Sequence, residues 1–143
     1  MKLIVASLTL AAVVAATTLT VSAQAIRVER LLDEPIIRPN MDGTMGSNIA
    51  GPSLIRVPEW VERPLGRYYL YFADHRGTYI RLAYANALTG PWTTYEPGTL
   101  RLDQSHFPTT CPPCAPEGSY VHIASPDVQI DRARRQIVMY VHG

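Results

Sequence analysis

Short runs of aliphatic, aromatic and β-branched residues, separated by turn residues, dominate the chain from residue 51 onward. Four runs predict β-strands, at residues 52–57, 67–73 and 79–85 and, as an edge strand, at 92–102. The second run is almost wholly apolar, which predicts burial on both of its faces. In the third run, Ile80, Leu82 and Tyr84 alternate with Ala83 and Ala85, so one bulky face and one small face are expected.

The same strand pattern begins again near residue 126. Residues 126–130 resemble 52–55, and residues 136–143 resemble 69–75 with the turn that follows, which gives His75 and His142 equivalent places. Repeated units of four short strands are typical of β-propeller blades. The pattern therefore predicts an all-β fold with about one and a half blades, the opening part of a longer propeller. A β-sandwich and a chance likeness of two hairpins are the alternatives.

The first 25 residues have the pattern of a secretory signal peptide. Lys2 precedes an apolar stretch at residues 3–14, and small residues at Val21-Ser22-Ala23 or Ala23-Gln24-Ala25 fit a cleavage site. A transmembrane anchor is the alternative. We expect residues 26–47 to form an irregular segment and residues 48–143 an incomplete propeller domain. The protein is predicted to be secreted or periplasmic, with no membrane association after the leader is cleaved.

Charge and cysteine content narrow the function. The 13 basic and 12 acidic residues nearly balance, and the only lysine, Lys2, lies in the leader. Nothing here forms the basic patch that a nucleic-acid partner requires.

Cys111 and Cys114 are surrounded by prolines, which excludes the helix of a thioredoxin-like redox pair. A local disulfide is favoured in an exported protein over zinc binding or free thiols. Neither a cofactor nor a metal site is predicted.

Candidate binding residues gather at one end of the predicted strands. Consecutive antiparallel strands reverse direction, so the segment before a first strand lies beside the turn after the second. This end carries the following carboxylate, amide and imidazole side chains: Asp42, Asn48, Asp74, His75, His122, Asp127 and His142. Because a propeller collects the starts of its inner strands around a central channel, we expect a binding site at this face.

Several motifs in order resemble the five-bladed glycoside hydrolases of family 43 and their relatives. They are Asn48-Ile49-Ala50-Gly51-Pro52-Ser53-Leu54, Tyr68-Tyr69-Leu70-Tyr71-Phe72, Leu88-Thr89-Gly90-Pro91-Trp92 and Ala124-Ser125-Pro126-Asp127-Val128. The resemblance implies three carboxylates around the channel, and Asp127 matches the one that tunes the general acid. Gly51 stands where these enzymes have the catalytic base, so Asp42 is the candidate replacement. The acid itself would lie beyond Gly143.

The resemblance also implies a carbohydrate partner, an oligo- or polysaccharide containing arabinose or xylose. The leading hypothesis is an exported protein that binds such glycans, with hydrolysis of their glycosidic bonds as the associated activity. Because Gly51 cannot accept a proton, a non-catalytic propeller that recognises a glycan or a protein is the alternative. A secreted β-domain without a sugar site is a third hypothesis.

Overall fold

The computed structural model describes residues 25–113 and 115–143 and shows an all-β protein with two antiparallel sheets. The strands are β1 (Ile49–Arg56), β2 (Tyr68–Asp74), β3 (Tyr79–Ala85), β4 (Thr93–Arg101), β5 (Ala124–Asp131) and β6 (Gln136–His142). A single 3-10 turn, Leu102–Gln104, follows β4. Within these residues there is no α-helix, and no helix long and apolar enough to cross a membrane. The predicted signal peptide lies outside the described residues, apart from Ala25.

The first sheet is a simple meander in the order β1-β2-β3-β4. Each strand pairs with the next in antiparallel fashion, which confirms the four predicted strands. Between β2 and β3, the Gly77 amide donates to the Asp74 carbonyl at 2.9 Å and closes the tight turn that the sequence predicts. Burial from Tyr69 through Ala73 confirms that both faces of β2 are covered.

The two faces of the first sheet contact different parts of the chain. On one face, Tyr71, Ile80 and Leu82 pack with Ile123 and Val128 of the β5 region. Leu70, Phe72 and Ala83 belong to the other face and pack against the segment before β1, whose Met45 is fully buried. The alternation predicted for β3 is therefore present, with its bulky residues toward the second sheet.

Arg81 of β3 ties the segment before β1 to the sheet. Residues 25–48 contain neither helix nor strand, yet they pass over the face that carries Phe72. The Arg81 guanidinium, 1% exposed, donates to the carbonyl of Thr44 and lies 3.4 Å from a carboxylate oxygen of Asp42. We call Arg81, Asp42 and Thr44 the arginine cluster.

The hairpins β1–β2 and β5–β6 share one backbone irregularity. Each has a bulge at its start, with a positive φ of 60° at Gly51 and 50° at Ser125. A Cβ atom at Gly51 would overlap the Cα of Ser125, so the two strands approach as closely as glycine allows. The Ser53 hydroxyl accepts the Val128 amide at 2.9 Å and joins them. The sequence repeat is thus a structural repeat of two hairpins.

Strand register corrects one part of the predicted repeat. Ala50 pairs with Ala73 at the end of the first hairpin, and Ala124 pairs with His142 at the end of the second. His142 therefore occupies the position of Ala73, two residues before that of His75. The sequence alignment was wrong here because a shift of two residues along a strand leaves each side chain on the same face, so the apolar pattern does not distinguish the two alignments. Both sheets are open.

Candidate functional site

Three histidines from separate elements meet at one end of the strands. His75 follows β2, His122 precedes β5 and His142 ends β6. Their ring centroids lie 5.2 Å (His122–His142), 5.8 Å (His75–His122) and 6.5 Å (His75–His142) apart. The structure therefore brings together three of the side chains that the sequence proposed for this face.

Two further side chains complete this site. The Tyr120 ring lies 5.1 Å from that of His122 and 6.5 Å from that of His75. The Arg76 guanidinium carbon stands 4.7 Å from the centre of the Tyr120 ring, a cation–π contact. We call His75, His122, His142, Tyr120 and Arg76 the imidazole cluster. Sequence reasoning missed Tyr120 and Arg76, although both adjoin histidines that it had selected.

Backbone hydrogen bonds fix the elements that carry the cluster. The His75 amide donates to the Asn48 carbonyl at 2.8 Å, and the Ile123 amide donates to the Gly77 carbonyl at 3.0 Å. The first bond holds the β2–β3 turn to the start of β1, and the second holds it to the residue after His122. Histidines that are distant in sequence are placed side by side because their backbones are joined at this turn.

Asp74 shapes the turn rather than facing the imidazoles as a free carboxylate. Its carboxylate accepts the amides of Arg76 at 2.9 Å and Asn48 at 3.1 Å. Burial pushes the pKa of Asp74 upward, but these amides, that of Ser47 and the charge of His75 together hold its pKa below the usual value. Asn48 thus acts through its backbone, bonding to both Asp74 and His75.

His122 is partly buried at the centre of the three imidazoles. Burial lowers its pKa, and the charges of His142 and His75 lower its pKa further. The Nδ1 atom of His122 is buried and has no hydrogen-bond partner among the described residues. A neutral imidazole carries one donor and one acceptor, so the lowered pKa keeps both available near neutral pH.

A cavity of about 270 Å³ opens beside His122 and Tyr120. The proline- and cysteine-rich loop forms part of its wall, including the exposed Cys111, and Gly143 lies at its edge. Cys114 lies outside the described residues, so the disulfide stays a prediction. No group of three or more histidine, cysteine, aspartate or glutamate side chains in the described part of the chain is placed to hold a metal ion.

Asp127 lies on the second sheet, outside the imidazole cluster. Its exposed carboxylate accepts the Gln129 side-chain amide at 3.1 Å. Asp127 pairs with Tyr140, and His142, two residues further along β6, shares the face of Tyr140. By register, Asp127 takes the position of Ser53, whose hydroxyl accepts a hydrogen bond from the Val128 amide of β5. Its catalytic role stays a prediction.

Asp42 contributes to a different cavity. The Thr44 hydroxyl and amide both donate to its carboxylate at 2.8 Å and, with Arg81, lower its pKa although burial opposes them. The cavity that it lines, of about 230 Å³, contains Arg81 and Glu96 but none of the three histidines. The structure therefore does not place Asp42 with the imidazole cluster, and its role as a replacement base stays a prediction.

Comparison with known proteins gives one similarity. The chain is 36% identical over 104 residues to "Uncharacterized protein R118" of Acanthamoeba polyphaga mimivirus, an alignment that covers 66% of this chain and 28% of the viral protein. The chain thus spans little more than a quarter of that relative's length. No family model and no solved structure matches the chain.

Proposed function

We propose that this chain belongs to an exported β-propeller related to family 43 glycoside hydrolases, and that the imidazole cluster binds a saccharide. The observation that carries the proposal is the convergence of three imidazoles and a tyrosine, of which His122 and Tyr120 line a cavity. Sugar hydroxyls need both donors and acceptors, which neutral imidazoles supply, while the apolar face of a pyranose packs on aromatic rings.

The hairpin repeat supports the propeller part of this proposal. Inner strands β1 and β5 approach through Gly51 and Ser125, and each is followed by an antiparallel partner. A radial array of sheets would place these strands side by side around a channel, with the ends that carry His75 and His142 at one mouth.

Binding is better supported than hydrolysis. Hydrolysis of a glycosidic bond needs two carboxyl groups, roughly 6.5–9.5 Å apart in inverting enzymes. Of the candidates, Asp42 is bound to Thr44 and Arg81, and the Gly51 position has no room for a side chain. Asp127 alone presents an exposed carboxylate near this end of the second sheet.

Calorimetric titration of the full-length protein with arabino- and xylo-oligosaccharides tests the binding site. Tyr120→Ala should weaken binding about 5- to 10-fold through the lost aromatic contact. Tyr95→Ala is the matched control, because Tyr95 is similarly exposed (36% against 38%) but lies on β4. Equal effects of the two substitutions, or no binding of any saccharide, would contradict the proposal.

Two substitutions of Asp127 separate catalysis from strand bridging. If Asp127 tunes a general acid, Asp127→Asn and Asp127→Ser should both abolish most glycosidase turnover without changing thermal stability. If Asp127 instead bonds a neighbouring strand as Ser53 does, Asp127→Ser should preserve stability and any turnover.

A further inference from the structure

Among the seven arginines of the described residues that form no ion pair, Arg76 is the one whose guanidinium lies on an aromatic ring. Arg27, Arg38, Arg81, Arg101 and Arg134 each form an ion pair. The exposed Arg76 forms none with any carboxylate in residues 25–113 and 115–143, and its guanidinium lies on the Tyr120 ring instead. This contact holds a cation beside the imidazoles without neutralising it.

The imidazoles share this lack of acidic partners. Within the part of the chain that is described, His75, His122 and His142 form no ion pair with a carboxylate. Asp74 is the adjoining acidic group, and its two carboxylate oxygens accept the Asn48 and Arg76 amides. Its negative charge is held mainly by these backbone N–H groups and interacts with the charge of His75. The other groups that the cluster presents are a guanidinium, two further imidazoles and a phenol.

We infer that the saccharide bound here carries an oxyanion group, either a carboxylate or a sulfate ester, that Arg76 recognises. This inference rests on the proposed function and narrows its ligand class. A guanidinium offers paired N–H donors that match two oxygens of such a group, and hydrogen bonds between charged partners are stronger than those to a neutral hydroxyl. The imidazoles and Tyr120 then contact the hydroxyls and ring of the sugar.

The test compares saccharides that differ only in charge. Full-length protein is titrated with an oligo-uronide, with its carboxyl-reduced neutral counterpart, with a sulfated oligosaccharide of the same length, and with inorganic sulfate. We expect at least one acidic saccharide to bind about 10-fold more tightly than the neutral one, an advantage that shrinks as salt is raised. Whether the uronide or the sulfated sugar shows it identifies the oxyanion.

Arg76→Gln assigns the effect to this side chain. The substitution should lower the affinity for the acidic saccharide about 10-fold and the affinity for the neutral one by a smaller factor, so that the ratio of the two affinities falls. Arg132→Gln, an exposed arginine on the β5–β6 turn, is the control and should change neither. Arg76 is exposed and its amide bond to Asp74 is retained in glutamine, so the variant should fold normally.

The remaining outcomes are distinct. Equal binding of neutral and acidic saccharides, with no selective effect of Arg76→Gln, overturns the inference and leaves the proposed function standing. Binding of inorganic sulfate without any saccharide overturns both, as does the absence of all binding. Preference for the acidic saccharide that survives in Arg76→Gln overturns the assignment to Arg76.

Discussion

The arginine cluster lies on the first sheet, the imidazole cluster joins the ends of both sheets, and the two differ in how their charges are partnered. Arg81 is almost fully buried and donates to the Thr44 carbonyl and the Asp42 carboxylate. In the imidazole cluster, Arg76 and the three histidines have no ion-pair partners in the residues described, and His122 and Tyr120 line a cavity.

The difference indicates different roles. A buried guanidinium needs partners for its donors, and two of the three Arg81 nitrogens have them while Nε has none in the described residues. The two bonds join the segment before β1 to β3, so the arginine cluster contributes to folding. Polar groups held together without partners cost stability that a bound ligand could recover. Substitutions in the first cluster should therefore reduce stability, and substitutions in the second should affect binding more than folding.

The largest expected effect follows from Arg81→Ala. The substitution removes a buried side chain that packs on Phe72 and Tyr79 and leaves the Thr44 carbonyl without its donor. We expect a loss of about 3 kcal/mol in the free energy of unfolding, measured by urea denaturation of the full-length protein. Arg132→Ala should stay within about 0.5 kcal/mol. A loss equally small for Arg81→Ala would show that the segment before β1 is not held by this residue.

A smaller effect is expected from Asp42→Asn. The Asp42 side chain is 42% exposed and 3.4 Å from Arg81, so solvent screens the pair. Asparagine keeps an oxygen for the Thr44 donors, and the loss should be about 0.5 kcal/mol. A double-mutant cycle with Arg81→Ala measures the coupling directly. Coupling much above 1 kcal/mol would contradict the view that Arg81 is held mainly by the Thr44 carbonyl and by packing.

Much of the fold could be predicted from the sequence because short strands leave strong local signals. The apolar run of β2, the alternation in β3 and the glycine and proline turns all reflect contacts that each strand makes on its own faces. The repeat was recognisable for the same reason. Its exact register was not, since the bulges at Gly51 and Ser125 depend on how β1 and β5 pack together.

The candidate site was predictable only in part. Antiparallel topology alone was enough to place His75, His122 and His142 at one end. Tyr120 and Arg76 were missed because their contact is tertiary, between a turn and a loop distant in sequence. Asp42 was assigned to the same site on proximity in sequence to β1, but its partner is Arg81, a buried residue in a strand where arginine gave no signal of its own.

The smallest expected effect is on the pH dependence of the free energy of unfolding, and it concerns His122 of the imidazole cluster. The pKa of His122 is lowered in the folded protein, first by burial and then by the charges of His142 and His75. As pH falls below about 6.5, the usual histidine value, the unfolded chain binds a proton at this position before the folded protein does. Stability should therefore be highest above that pH, decline as pH falls through it and level off below the folded pKa.

His122→Gln should flatten this decline between pH 8 and pH 5, whereas His106→Gln, at an exposed position, should leave it unchanged. The comparison uses the change in the free energy of unfolding with pH, because any loss of stability that the substitution causes equally at every pH then cancels. An identical slope in His122→Gln and the unsubstituted protein would show that the imidazole cluster contributes nothing to acid sensitivity.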